Sequence, residues 1–340
     1  MQTFTVFPNL QEKSNPYIQD FIDTLNRQEG FHVVNPAHKN PLLSILPPKH
    51  WGNIFIFNWF ESIPDFKYGP LQSIIALFFL ILIKLNGRKI IWILHNKQPH
   101  AQRYNWLKRS LTQLIAKQAD LIITHAQDGV TIIREKYPHA LHKVHFLHHP
   151  TKNRMSDNEQ TFLQKKEYDL LIWGGINPYK GVVDFVSFLH KNPQIKLKVC
   201  ILGKCSSHKL YNAITRDLTE NITFIHEKAS FEKLGAYIQQ SHFVLMPYFS
   251  KTILSSGVLM DSLSFGAKVI GPNTGSFKDY AHESSLHVHT FKEFNDIIQI
   301  VNKHKDTPIS IESYKRFLQK NDWEAFIQSF IHLLKPYNHA

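Results

Sequence analysis

A chain of 340 residues, 43% hydrophobic and 19% charged, has the composition of a folded globular protein and the length for two domains rather than one core. Its formal charge of +12, with 21 His besides, excludes nothing acidic as a partner and suits nucleic acid, anionic lipid or a phosphorylated substrate. The only two cysteines, Cys200 and Cys205, lack the spacing of a zinc or redox motif, which argues against a disulfide-stapled fold and for a reducing compartment.

The first 14 residues lack a basic segment followed by an apolar run, so no secretory signal is read and a cytoplasmic protein is expected. A helix is predicted over 17–27 and a strand over 53–58 (NIFIFN). The run 74–83 (IIALFFLILI) is apolar on all sides. Stretched over 71–85 it spans roughly 22 Å as a helix, at about 1.5 Å per residue, against about 30 Å of bilayer hydrocarbon. Burial against a sheet is the expectation, with an in-plane contact with a bilayer as the alternative. Strands at 89–95 (KIIWILH), 120–124 and 143–147, with a helix over 101–119, complete a first alternating series.

The polar stretch 151–167 reads as a linker. Beyond it, short runs rich in Ile, Val and Leu at 169–173, 196–202, 222–225, 243–246 and 268–270 read as strands covered on both faces. A last helix is predicted over 323–334. Alternation on both sides of the linker argues for an α/β architecture of two doubly wound domains, whose strand ends face a cleft.

Four constellations carry chemistry. Gly174, Gly175, Asn177, Tyr179, Lys180 and Gly181 follow a strand and open a helix. The glycines let backbone approach a ligand, and Lys180 supplies charge for a phosphate at a helix N-terminus. Ser255, Ser256, Gly257 and Val258 open a second helix that carries Asp261 one turn on, within reach of a sugar or ribose hydroxyl. His95 and Asn96 end the strand 89–95, with His100 beyond. His95 can contact a sugar hydroxyl or act as acid or base, and it lacks zinc-ligand spacing to His100. Asn15 precedes the first helix, while Trp59 and Glu61 follow the strand 53–58. Trp59 could stack on a sugar, and Glu61 could remove a proton from a hydroxyl. For each, an ordinary turn, cap, core or surface role is the alternative.

The loop G-x-I-x-P-Y-K-G from Gly174 and the later S-G-V helix start resemble the donor half of GT-B glycosyltransferases, above all the bacterial capsule and exopolysaccharide enzymes, over about residues 168–290. That resemblance implies a GT-B fold of two Rossmann-like domains: 1–160 on the acceptor side, 161–322 binding the nucleotide-sugar, and 323–340 a last helix that crosses back. It implies that Gly174, Gly175, Asn177, Tyr179, Lys180, Ser255–Val258 and Asp261 bind the donor, with Asp261 at the ribose. His95 and Glu61 are the catalytic candidates, and Asn15, Trp59, Asn96 and His100 the acceptor contacts. Two positions depart from the pattern. Gly175 stands where many relatives have Arg, and Ile253 where relatives with paired glutamates have the first, which leaves Lys180 with Lys204 or Lys251 to supply charge.

The function expected is transfer of a sugar from a UDP- or GDP-linked donor to a glycan or lipid-linked glycan in surface polysaccharide synthesis, with retention and without a metal or other cofactor. No Asp-x-Asp motif stands out. The basic first half and the run at 74–83 fit attachment to the inner, anionic face of a membrane. A non-catalytic GT-B-like partner subunit and a sugar-nucleotide epimerase are the alternatives. Nucleic acid is not expected as a partner, because no helix-turn-helix or RNA-binding motif is found.

Overall fold

The computed structural model describes residues 1–11, 16–97, 103–155, 165–248 and 253–335. Asn15, His100 and Lys251 lie outside the described residues. The chain forms two compact units, one of Met1–Pro150 with Thr252–Ser255 and Trp323–Ala340, the other of Thr151–Lys251 with Ser256–Asp322.

In the first unit, β1 (Gln2–Phe7), β2 (Phe31–Val33), β3 (Ile54–Asn58), β4 (Lys89–Leu94), β5 (Leu121–Thr124) and β6 (Val144–Phe146) form a parallel sheet in the order β2-β1-β3-β4-β5-β6. Its first four helices are α1 (Pro16–Asn26), α2 (Gly69–Leu85), α3 (Asn105–Gln118) and α4 (Gln127–Lys136).

The second unit holds β7 (Tyr168–Trp173), β8 (Val199–Leu202), β9 (Ile222–Ile225), β10 (Ser241–Leu245), β11 (Val269–Pro272) and β12 (Val288–Phe291). They too are parallel, in the order β12-β11-β10-β7-β8-β9. This is the Rossmann order, and the strand sequence reverses between β7 and β10. The helices are α5 (Val182–Lys191), α6 (His208–Arg216), α7 (Phe231–Gln239), α8 (Gly257–Ser264), α9 (Gly275–Ala281), α10 (Phe294–His304) and α11 (Ile311–Lys320).

The chain returns to the first unit as α12 (Trp323–Leu334), which packs against α1. Alternation along β4 shows how the first sheet is covered. Trp92 and Leu94 join a core with Leu111 and Ile115 of α3, and Ile91 and Ile93 join another with Phe21 of α1 and Phe326 and Phe330 of α12. Leu254 is buried in the first of these cores.

Two features differ from the sequence reading. The segment 151–155 is no free linker: Thr151 bridges to Asp322, its hydroxyl donates to the Met260 carbonyl at 3.1 Å, and the Arg154 N–H donates to the Ser264 carbonyl at 2.8 Å. And α2 is not buried all round. Ala76, Phe79, Leu80 and Ile83 face the core, but Leu71, Ile74, Ile75, Phe78, Ile81, Leu82 and Leu85 are exposed, Phe78 at 70% and Leu85 at 79%. A helix on the outer layer of a sheet has one buried stripe, and an apolar sequence does not change that geometry.

Candidate functional site

Lys180 is set at the carboxyl end of β7 by the turn that follows it. Gly174 has φ +96°, a conformation that favours glycine, and a Cβ there would stand 3.4 Å from the Lys180 Nζ and 3.6 Å from a Val258 methyl. The chain then makes a 3-10 turn over Pro178–Lys180, and Gly181, at φ 64°, leads into α5. Lys180 is only 8% exposed, and its ammonium lies 5.7 Å from the centre of the Tyr248 ring. Desolvation lowers its pKa, with the nearby Tyr179 opposing. Among the described residues no carboxylate pairs with it. A buried cation without a counter-charge is a place built for an anion.

The start of α8 completes this region. The Ser256 hydroxyl caps the helix by accepting the Leu259 N–H at 3.3 Å, and it lies near enough to the Tyr248 hydroxyl to oppose the upward push that burial gives the phenol. Gly257 is exposed, so the first amides of α8 are accessible to a ligand. Gly174, Lys180, Ser256 and Val258 are thus brought together with Tyr248, which the sequence reading missed. Gly175 is exposed, and a Cβ on it would touch nothing within 4 Å among the described residues. Asn177 is half-buried and Tyr179 lies on the rim at 36% exposure. Ser255 is half-buried and groups with the first unit. Lys204 is exposed.

Asp261 is engaged by a residue of the supposed linker. Arg154 Nη1 lies 3.1 Å from Asp261 Oδ1 and 3.0 Å from Ser264 Oγ, and its guanidinium sits 4.3 Å over the Phe231 ring. Ile253, where the pattern has a carboxylate, is buried and bridges Asn96. A carboxylate there would lose its hydration.

In the first unit, His95 is buried on the α1 and α12 face. It stacks on Trp59 at 4.1 Å between ring centres and lies edge-on to Tyr17 at 5.0 Å. Asn58 donates to the Phe7 carbonyl, so its amide oxygen accepts from His95 Nε2 at 2.9 Å. His125 Nδ1 donates to the Leu147 carbonyl, leaving Nε2 to accept the Tyr17 hydroxyl at 2.8 Å, and His149 Nδ1 donates to the Pro150 carbonyl. Burial lowers all three imidazoles, His125 to about 3 and His149 to about 4. They are neutral at pH 7. His125 ends β5 as His95 ends β4, so the strand-end signal could have found it.

Glu61 and Asn96 share a different place. They line a cavity of about 440 Å³ with Trp92 and Leu94 of β4 and residues of α3 and α4. Desolvation raises the Glu61 carboxyl to about 7, against smaller pulls from its own N–H, the Asn96 amide and the Lys108 ammonium. Among the described residues neither Glu61 oxygen makes a hydrogen bond of good geometry. Among the described residues no group of three or more His, Cys, Asp or Glu could hold a metal ion.

Known proteins with solved structures share this architecture. HepE of Anabaena in complex with UDP-glucose superposes with a TM-score of 0.70 at 14% identity, covering 99% of this chain and 100% of that one. The fold is GT-B. Two further GT-B structures match over 99% of the chain at 12% identity. The lipopolysaccharide outer core galactosyltransferase WaaB, covered fully, has a TM-score of 0.65, and AviGT4, a glycosyltransferase involved in avilamycin A biosynthesis, covered to 98%, has 0.62. No protein-family model matches the chain, and no curated protein sequence matches it. In the GT-B frame, the Lys180 region occupies the β7/β10 reversal of the second unit, where doubly wound sheets bind ligands.

Proposed function

We propose that the chain is a glycosyltransferase that moves a sugar from UDP to a glycan or lipid-linked glycan acceptor in surface polysaccharide synthesis. The observation that carries this reading is the buried Lys180 ammonium, with no carboxylate partner among the described residues, beside the capped start of α8. HepE was solved with UDP and with UDP-glucose, which favours a uridine donor.

In this reading the bond between the sugar's anomeric carbon and the diphosphate breaks, and negative charge grows on the departing UDP. Lys180 and the first amides of α8 are fixed before the reaction and stabilise that charge most strongly in the transition state. They supply the positive field that a divalent cation supplies elsewhere, so we infer metal independence. With retention, the leaving phosphate takes the acceptor's proton. His95, held neutral with its Nε2 proton on Asn58, then orients the sugar rather than exchanging a proton. Glu61 would be the base only if configuration inverted.

The exposed apolar stripe of α2 supports attachment to a membrane surface. Exposed Lys67 and Arg103 lie near the starts of α2 and α3, exposed Trp106 begins α3, and α3 packs against α2. Among the described residues no helix is long and apolar enough to cross a bilayer.

The test is calorimetric titration with UDP, GDP, ADP, CMP and dTDP, on the parent and on Lys180→Ala. We expect UDP binding, weakened about 30-fold or more in the variant, as when one side of a buried charge pair is removed (about 2 kcal/mol or more). Binding of another base would change the donor. Binding without turnover of any sugar nucleotide would favour a non-catalytic partner subunit, which the buried Ile253 makes the second reading.

A further inference from the structure

The cavity of the first unit is a built polar site that the nucleotide reading does not use. Its inner wall carries Glu61, 4% exposed, and Trp92, fully buried. Among the described residues neither Glu61 oxygen makes a hydrogen bond of good geometry, the Asn96 amide being the nearest donor, and the Trp92 indole N–H has no acceptor. Polar atoms buried without well-formed hydrogen bonds are unfavourable, and a ligand with hydroxyl groups would supply the missing partners.

The wall also carries four cations. Lys97 pairs with Asp128, and Lys108 with Asp65. Arg109 and Lys136 are exposed, and among the described residues neither has a carboxylate partner. Tyr137 lies close enough for Glu61 and Arg109 both to act on its hydroxyl, so the deep carboxyl and a rim cation border one space. The volume is within the roughly 300–1,000 Å³ of small-ligand pockets.

We propose that this cavity binds a saccharide bearing an anionic group, with the anion on Arg109 and Lys136 and ring hydroxyls on Glu61 and the Trp92 N–H. Glu61 accepts from a hydroxyl or, when protonated, donates to one, and the indole donates to a hydroxyl oxygen. The proposal deepens the glycosyltransferase reading by assigning an acidic class of acceptor, and it stands on separate residues from the UDP site.

The test follows the indole N–H signal of Trp92 in protein labelled with [15N]tryptophan, assigned by its loss in Trp92→Phe. The probes are glucuronate, glucose 6-phosphate, glucose and inorganic phosphate. Expected is a saturable shift with glucuronate or glucose 6-phosphate, at least tenfold tighter than with glucose or with phosphate. Which of the two acidic sugars binds tighter tells a carboxylate from a phosphate acceptor. In Arg109→Ala/Lys136→Ala, two exposed positions, that affinity should fall at least tenfold while UDP binding is unchanged. Equal binding of glucose would overturn the charge assignment, and equal binding of phosphate would overturn sugar recognition. No shift with any probe, or binding that survives the double substitution, would overturn the site. Loss of UDP binding by Lys180→Ala bears on the donor reading alone.

Discussion

Arg154 and Asp261 form an ion pair of 3.1 Å, with the guanidinium also over Phe231, so the carboxylate at the centre of α8 is already engaged. Both side chains are about one-fifth exposed, which discounts the pair relative to a buried one. A double-mutant cycle with Arg154→Ala and Asp261→Asn should give a coupling of about 1 kcal/mol in unfolding free energy. Arg154→Ala alone should cost more than Asp261→Asn, since it also removes ring contact. Additive losses would show that the pair contributes nothing.

Gly175 offers room that the pattern's arginine would fill. Among the described residues a Cβ there meets nothing within 4 Å, and the residue is exposed. Gly175→Arg should therefore fold normally and tighten UDP about 5- to 30-fold, roughly 1–2 kcal/mol for a charge-assisted contact. Unchanged UDP affinity would mean that the added cation does not reach the diphosphate.

Glu61 should make the protein less stable toward neutral pH. Its ordinary value is 4.5 and its folded value about 7. Between these the unfolded chain has released the proton and the folded chain still holds it, so stability falls as pH rises through that window. The full effect is about 3 kcal/mol. Glu61→Gln should match the parent near pH 4 and exceed its stability at pH 8, as read from urea unfolding. Equal stability at both pH values would mean that the carboxyl is hydrated.

The neutral histidines act in the opposite direction. His125 and His149 sit at about 3 and 4 in the fold and near 6.5 unfolded. Their contribution is complete above pH 6.5 and lost as pH falls toward those folded values, because only the unfolded chain binds the protons. At pH 5 each has cost about 2 kcal/mol. Measured in the Glu61→Gln background, which removes the competing trend, unfolding free energy should drop between pH 7 and pH 5. A flat profile would contradict neutral burial.

The α2 stripe should hold the protein on lipid. Leu71→Ser with Phe78→Ser alters two residues exposed by 61% and 70%, so stability should change by only about 0.5 kcal/mol per site. Sedimentation with phosphatidylglycerol vesicles should fall at least tenfold, and the parent should bind neutral vesicles more weakly. Equal binding by both proteins would remove α2 from any membrane contact.

Strand–helix alternation was legible because strands covered on both faces must be apolar throughout, as in NIFIFN and KIIWIL. Strands β1, β2 and β12 were not. QTFTVF opens the chain, FHV has three residues, and VHTF carries a histidine, so none has the length or purity of a periodic signal. The glycine turn, Lys180 and the Ser256 cap were legible because each is a local device, in which neighbouring residues fix the backbone and aim a charge.

What the sequence by itself determined is the doubly wound α/β class, the lysine loop and the two departures at Gly175 and Ile253. What only the tertiary structure decided are relations between residues far apart in the chain: Arg154 with Asp261, Tyr248 under Lys180, Tyr17 with His125, and Glu61 with Trp92 in one cavity. It also decided which side of α2 is bare. Burial sets hydration, and hydration sets whether a histidine is neutral, a glutamate protonated or a lysine in want of an anion. Burial comes from chain segments that sequence spacing does not bring together, so the identity of these residues was readable but their chemical state was not.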